Sequence, residues 1–337
     1  MFACPLRHKE GGSKACARPL EWHLATRGIF MGDARRERRA VLRRPCPCGG
    51  PKSGRDCCFN GEDWHRCPCA VGLRLLPAGS AFDRCYMKGL NSCVGPISGE
   101  HLISESVIEI LKGDGGFSIS GVPWLAIGQE KILPVRALRA NCLCSKHNSA
   151  LSPLDDAARY FFLSLKNFLE SDSGVGHALV SGHDIERWLL KTAKAMAVSG
   201  NLAKDNHKLS GAFAHDQALI GMLDDSGEWP DGAGLYCVMN AGDHMVNHSR
   251  FQLSPLVNDN EEIVGLQLSI LGLIFILLLD QRNHERYEFL AGAKYRPGRI
   301  SIVHPQAVHW LTMSWEDDQA HDSLTLQFVK SLPPIVG

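Results

Sequence analysis

The chain has 337 residues, 45% of them hydrophobic and 21% charged, and its formal net charge is zero. That length exceeds what one hydrophobic core usually needs, so two or three folded units are expected. Overall neutrality excludes a protein that coats nucleic acid over its whole surface. The charge is uneven, however: residues 1–70 hold 14 Lys/Arg against 7 Asp/Glu, which leaves +7 there and −7 in the remainder. A basic arm of this kind suits a nucleic-acid contact or a solvated tail. The thirteen cysteines gather mostly between residues 46 and 93, and the start, MFACPLRHKEGG, has no apolar run of the secretory type. Clustered cysteines in that setting point to metal binding in a reducing compartment, with the cytoplasm as the expected location. The longest apolar stretch, Leu266 to Asp280, is shorter than the roughly 20 residues of a membrane span, so buried strands and no membrane partner are expected.

Residues 1–40 show no apolar periodicity and include RRERRA, which reads as a flexible basic arm. Residues 41–70 follow, dense in Cys, Gly and Pro. Their centre is Cys46-Pro47-Cys48-Gly49-Gly50 with Cys57-Cys58. Two close thiolates supply one edge of a zinc tetrahedron, and a glycine-rich reversal brings a second pair to supply the other. A segment too small for a core can fold on such an ion, since zinc binding contributes about 10 kcal/mol or more. The expected ligands of this first zinc ion are Cys46, Cys48, Cys57 and Cys58. Their spacing resembles the SEC-C motif known from the tail of the SecA translocation ATPase, C-x-C-G with a second Cys-Cys or Cys-His pair eight residues on, and Gly50 replaces the usual Ser. The resemblance implies an interaction module that takes a protein partner, and it names no reaction. Cys67 and Cys69 repeat the C-x-C spacing without a second pair and read as ordinary thiols.

Residues 80–156 bring together Cys85 and Cys93, then Glu100-His101, then Cys142-Leu143-Cys144-Ser145-Lys146-His147-Asn148. Cys144 and His147 have the spacing of a zinc pair, and Cys85 with Cys93 can complete a second tetrahedron. Cys142 is the alternative to Cys144, and C-x-x-H spacing favours Cys144. This order resembles the HNH, or ββα-metal, endonucleases, in which a Cys pair precedes an acidic-His step on a β-hairpin and a second pair leads into a helix. The resemblance implies that His101 is the general base, that Glu100 touches a catalytic divalent ion, Mg²⁺ or Mn²⁺, and that Asn148 on the helix completes the site. It also implies a nucleic-acid substrate, with DNA favoured. The chain departs from that pattern in its wide first pair, in His147 at a usual Cys position and in the placing of His101 and Cys144 43 positions apart. The alternatives are a packing or capping role for His101 at the start of a helix and, for the whole chain, a non-catalytic zinc-stabilised adaptor. Asp155 reads as a helix stabiliser near the N-terminus.

Residues 157–337 form the expected C-terminal unit. A helix is expected from Ser152 as N-cap with Pro153 in the first turn, with Leu154, Ala158, Phe161, Leu165, Phe168 and Leu169 on one stripe. A second helix starts near Asp184, with Ile185, Trp188, Leu189, Ala193 and Met196 on one face, and stops at Gly200. Beyond Leu235, YCVMN, FQLSPLV, EIVGLQLSI, LIFILLLD, RISIVH and HWLTMSW read as strands. The expected fold is α+β: a small zinc-stabilised module, an HNH-like ββα-metal unit, then helices packed on a mainly antiparallel sheet.

Overall fold

A computed structural model of the chain describes residues 42–111, 117–120, 124–126, 128–134, 137–204, 207–209, 213, 216–224, 229–239, 251–279, 290, 292–317 and 319–328. The expected basic arm of residues 1–40 lies outside the described residues. The chain divides into two compact units, Met1–Asp63 and Trp64–Gly337.

In the first unit, the described chain from residue 42 to 63 is built of tight turns. The Cys46 N–H donates to Lys52 O (2.9 Å) and the Gly54 N–H to Arg44 O (3.0 Å), so the segment folds back on itself. Gly49 sits at φ +78° in that reversal, in the left-handed region that a residue without Cβ enters freely.

The second unit is α+β, and most of its strand pairs are antiparallel. Strand β1 (Ile97–His101) pairs with β4 (Arg139–Cys144), setting Glu100 opposite Ala140 and His101 opposite Arg139. Between them lie helix α1 (Glu105–Leu111) and the hairpin β2 (Phe117–Ser120) and β3 (Glu130–Leu133). Helix α2 (Ser145–Glu170) follows β4 without a break and carries the chain past residue 156. Strand, strand and helix thus make one ββα unit with an insertion in the hairpin.

Helix α2 starts seven residues before the expected Ser152. The reason is local: Cys144 is the N-cap, its sulfur accepting from the His147 N–H (3.5 Å). Pro153 therefore stands inside the helix. It has no N–H to give to Ser149 O, and the Ser152 hydroxyl donates there instead (2.9 Å). The stripe of α2 is buried at Leu151, Leu154, Ala158, Phe161, Phe162, Leu165 and Leu169.

Strand β5 (Gly174–Ser181) leads into helix α3 (Gly182–Val198). After the short pair β6 (Ala203–Lys204) and β7 (His207–Lys208) and helix α4 (Ala218–Asp224) come β8 (Gly234–Met239), β9 (Phe251–Val257), β10 (Ile263–Ile270), β11 (Leu273–Leu278), β12 (Lys294–Tyr295), β13 (Arg299–His304), β14 (Ala307–Ser314) and β15 (Ser323–Gln327). They form a five-stranded antiparallel sheet in the order β12-β8-β11-β10-β9 and a four-stranded sheet in the order β15-β13-β14-β5. The last is mixed, because β5 and β15 run parallel to their neighbours. Six strands match the β-rich segments read from sequence. β5 and β15 were not among them.

Helix α3 touches both sheets, α2 and β4. One apolar face was expected of it, yet every residue from Gly182 to Ala197 is buried. Its charged residues lie inside because each has a partner: Arg187 on Asp184 (2.6 Å), Glu186 on Arg296 (2.9 Å), Lys191 on Glu100 (2.6 Å), and Lys194 on Asp216 O (2.8 Å). The helix enters this space at Gly182, where a Cβ would lie 2.2–2.4 Å from the Trp315 ring. Gly182→Ala is expected to lower stability by about 1–3 kcal/mol through this overpacking. Urea unfolding checks it, and an unchanged midpoint would contradict the packing described.

Candidate metal centres and an adjoining cleft

The turns of the first unit bring Cys46, Cys48, Cys57 and Cys58 together, with all four sulfurs within 4.8 Å of one another. The Cys48–Cys57 and Cys57–Cys58 separations are 3.7 and 3.6 Å. A tetrahedral ion with Zn–S bonds of about 2.3 Å sets its sulfurs about 3.8 Å apart, so the cage has the size of a thiolate-bound cation. The Cys58 thiol donates to Cys48 and holds Cys48 down to about 4, which makes that sulfur a thiolate at neutral pH. Gly50 lines the cage, where a Cβ would stand 3.3 Å from the Cys48 sulfur.

In the second unit Cys85, Cys93, Cys144 and His147 form another group, again within 4.8 Å and fully buried. His147 Nδ1 lies 3.3 Å from the Cys85 and Cys144 sulfurs and 3.7 Å from Cys93. A shared ion with bonds of about 2.0–2.3 Å requires about 3.6 Å between N and S ligands, which these values bracket. On its other side, His147 Nε2 meets the Ser92 hydroxyl at 2.9 Å. That contact fixes the ring with Nδ1 facing the three sulfurs, the usual arrangement behind a metal-bound imidazole. Cys144, and not Cys142, joins the group. Both four-residue groups can hold a metal ion. A third set, His65, Cys67 and Glu316, offers three atoms, one fewer than a tetrahedral zinc site takes. Cys69 is a thiol, donating to Asp184 Oδ2 (3.1 Å).

One residue beyond His147 the chain enters a cleft of about 510 Å³ whose lining includes Glu100, His101, Ser104, Glu105, Asn148, Ser152 and Asp155. The three residues that the sequence put forward for chemistry thus face one space. His101 ends β1 instead of opening a helix, and α1 begins at Glu105. Asn148 Nδ2 donates to the Ser98 hydroxyl (3.2 Å), tying the helix to the strand across from it.

Two cations stand against these groups, and neither was read from sequence. Arg139 Nε donates to His101 Nε2 (2.7 Å), and its Nη2 reaches Glu105 (3.4 Å). Because a guanidinium only donates, His101 Nε2 accepts and the ring proton sits on Nδ1. Burial first, and the Arg139 charge second, hold His101 below the ordinary histidine value, so the ring is neutral at neutral pH.

The second cation is Lys191. Its ammonium lies 2.6 Å from Glu100 Oε1 and 2.5 Å from Asp155 Oδ2. Burial disfavours its charge, but the Asp155 and Glu100 carboxylates outweigh that and raise Lys191 above the usual lysine value. Burial also raises Glu100, against the pull of Lys191.

Asp155, expected to stabilise a helix start, sits well inside α2, too far from the N-terminus for that task. It accepts from the Ser104 hydroxyl and from Lys191 instead. The Trp188 N–H holds the same Ser104 oxygen at 2.7 Å. Arg139 is visible in sequence only as the residue that register sets opposite His101. Lys191 carries no sequence signal, since a lysine on a helix normally faces water.

Among the described residues no helix is long and apolar enough to cross a membrane. No protein-family model matches the chain, and no curated protein or solved structure matches it either.

The His101 titration, followed by NMR of its ring protons, is expected to fall below that of an unfolded histidine. In Arg139→Ala it moves up, because the largest charge that depresses it is gone. Since the folded value lies below the unfolded one, the contribution of His101 to stability is present above the unfolded value and is lost as pH falls. A wild-type value at or above that of the unfolded chain would contradict the arrangement.

Proposed function

We propose that the cleft hydrolyses phosphodiester bonds in nucleic acid, with the segment 80–156 as an HNH-type unit and residues 157–337 holding its Glu100, Asp155 and Ser104 through Lys191 and Trp188. The observation that carries this reading is the convergence of His101, Asn148, Glu100 and Asp155 on one cleft of a ββα unit whose two ends are gathered by Cys85, Cys93, Cys144 and His147. Both four-residue groups take zinc in this reading. Three thiolates with one imidazole, or four thiolates, form the donor set that this ion prefers in structural sites. The Cys46 to Cys58 module then serves as a docking element for a protein partner.

The chain's own residues suffice to describe the chemistry. His101 Nε2 is occupied by Arg139 in the resting cleft. An incoming phosphate, with its fork-matching oxygens, draws the Arg139 guanidinium to itself. That frees the Nε2 lone pair. A water between His101 and the phosphorus loses its proton to Nε2 as its oxygen bonds to phosphorus, and the bond from phosphorus to the departing sugar oxygen breaks, that oxygen taking a proton from solvent. Asn148 and the Ser104 and Ser152 hydroxyls lie in the same cleft as polar groups for the sugar–phosphate chain.

One observation favours a second reading, a non-catalytic zinc-stabilised adaptor. The proton acceptor and the buried carboxylate both already carry cations of this chain, Arg139 and Lys191. The two readings separate in a cleavage assay on plasmid DNA, single-stranded DNA and RNA. Wild type is expected to cleave at least one of these, and His101→Ala, still folded by circular dichroism and with unchanged zinc content, to lose about 100-fold or more of that rate. Equal inertness of both proteins on every substrate would leave the adaptor.

Zinc analysis provides the other check. Purified protein is expected to hold two zinc ions per chain and Cys144→Ser one, because the two donor sets are separate. A single zinc in wild type would remove the second centre.

A further inference from the structure

The HNH-like reading implies a divalent cation, Mg²⁺ or Mn²⁺, on Glu100, and the residues present do not fit one there. A hard cation shared by two carboxylates needs the space between their oxygens, at about 2.0–2.1 Å from each for Mg²⁺. In this chain the Lys191 ammonium fills that space, 2.6 Å from Glu100 Oε1 and 2.5 Å from Asp155 Oδ2. It is not a surface side chain that can swing away. Lys191 and Glu100 are each 3% exposed and Asp155 27%. The lysine also projects from α3, whose residues from Gly182 to Ala197 are all buried. A divalent ion entering between the carboxylates would have to drive this ammonium into apolar surroundings without a counter-charge, which is a heavy penalty.

The fit is also right from the lysine's side. An ammonium offers three donors to the two carboxylates and removes one of their two negative charges. Ser104 and Trp188 complete the arrangement, the Ser104 hydroxyl donating to Asp155 and the Trp188 N–H to Ser104 (2.7 Å). The two carboxylates are thereby held in one geometry by groups from α3 and from the turn before α1.

We propose that Lys191 is the resident cation of the cleft, taking the place of the divalent ion, and that the Glu100–Asp155 pair binds no metal while Lys191 is present. The consequence for catalysis, that the cleft works on phosphodiesters with cations of the chain itself, rests on the hydrolytic reading above. The statement about binding stands apart from it. Lys191 acts here through the two carboxylates and is a positioning residue.

The test is a Mn²⁺ titration of the zinc-loaded full chain, with free Mn²⁺ followed by electron paramagnetic resonance, on wild type, Lys191→Arg, Lys191→Met and the double variant Lys191→Met with Glu100→Gln. Wild type and Lys191→Arg are expected to show no Mn²⁺ site that depends on Glu100. Lys191→Met gains one that is at least about tenfold tighter than any in wild type, equivalent to about 1.4 kcal/mol, and the double variant loses it again. A tight Mn²⁺ site in wild type that disappears in Glu100→Gln overturns the proposal, as does a folded Lys191→Met protein that gains no site. Should Lys191→Met fail to fold, judged by zinc content and circular dichroism, the comparison of wild type with Glu100→Gln decides. Equal and weak Mn²⁺ binding supports the proposal, and a difference overturns it. None of these readouts uses cleavage, so an inactive protein does not alter them.

Discussion

Helix α3 is buried from Gly182 to Ala197 while carrying Asp184, Glu186, Arg187, Lys191 and Lys194. An unpaired charge in such a place costs several kcal/mol, so the rest of the second unit has to be arranged around partners for these residues. Together these charges fasten four different parts of the chain. Asp184 takes the Cys69 backbone N–H (2.9 Å) and Arg187 the Cys69 carbonyl (2.7 Å), which pins the segment that enters the unit. Glu186 receives Arg296 and the Leu235 N–H (2.8 Å), binding the five-stranded sheet. Lys194 caps the carbonyls of Phe213 and Asp216. Lys191 reaches forward to Glu100 and Asp155, the residues beneath the cleft. Removing any one partner leaves a buried charge behind, and this links the cleft to the core.

The cleft is thus held from two directions. At one end, Cys85, Cys93, Cys144 and His147 gather the chain before β1 and the junction of β4 with α2. That junction sets the start of the helix, and so fixes where Asn148, Ser152 and Asp155 emerge. From below, Lys191 and Trp188 fix Glu100 and Ser104. His101 lies between these anchors with its neighbour Arg139, set opposite it by strand register. The polar side chains of the cleft are held by hydrogen bonds and by the ion pairs of Lys191.

Much of this could be read from sequence, for reasons that differ by element. The cysteine spacings sufficed to find both groups that can hold a metal ion, because a tetrahedral ion imposes short, characteristic separations on paired ligands. Strands β8 to β11, β13 and β14 announced themselves through β-branched and aromatic runs between polar turns. The start of α2 did not, because Ser152-Pro153 has the form of a helix N-terminus, and only the capping sulfur of Cys144 reveals that the helix is already under way. Strand β5 escaped notice because GVGHALVS is glycine-rich at its start and pairs only with a strand more than a hundred residues later. The burial of α3 was equally hidden. Its sequence reads as an amphipathic surface helix, and its polar residues go inside only because distant partners meet them there. Lys191, the residue that most alters the chemistry of the cleft, belongs to that class.

Two groups that can hold a metal ion, and the Lys191 ammonium between Glu100 and Asp155, are where the described chain meets or replaces a cation. Anomalous diffraction at the zinc and manganese edges, from crystals of the full chain grown with Mn²⁺, identifies which cation occupies each place. Zinc peaks are expected within the Cys46–Cys48–Cys57–Cys58 and Cys85–Cys93–Cys144–His147 groups, and Lys191 between Glu100 and Asp155 with no manganese peak there. A manganese ion bridging Glu100 and Asp155 with Lys191 displaced, or an absence of zinc from either group, would contradict these assignments.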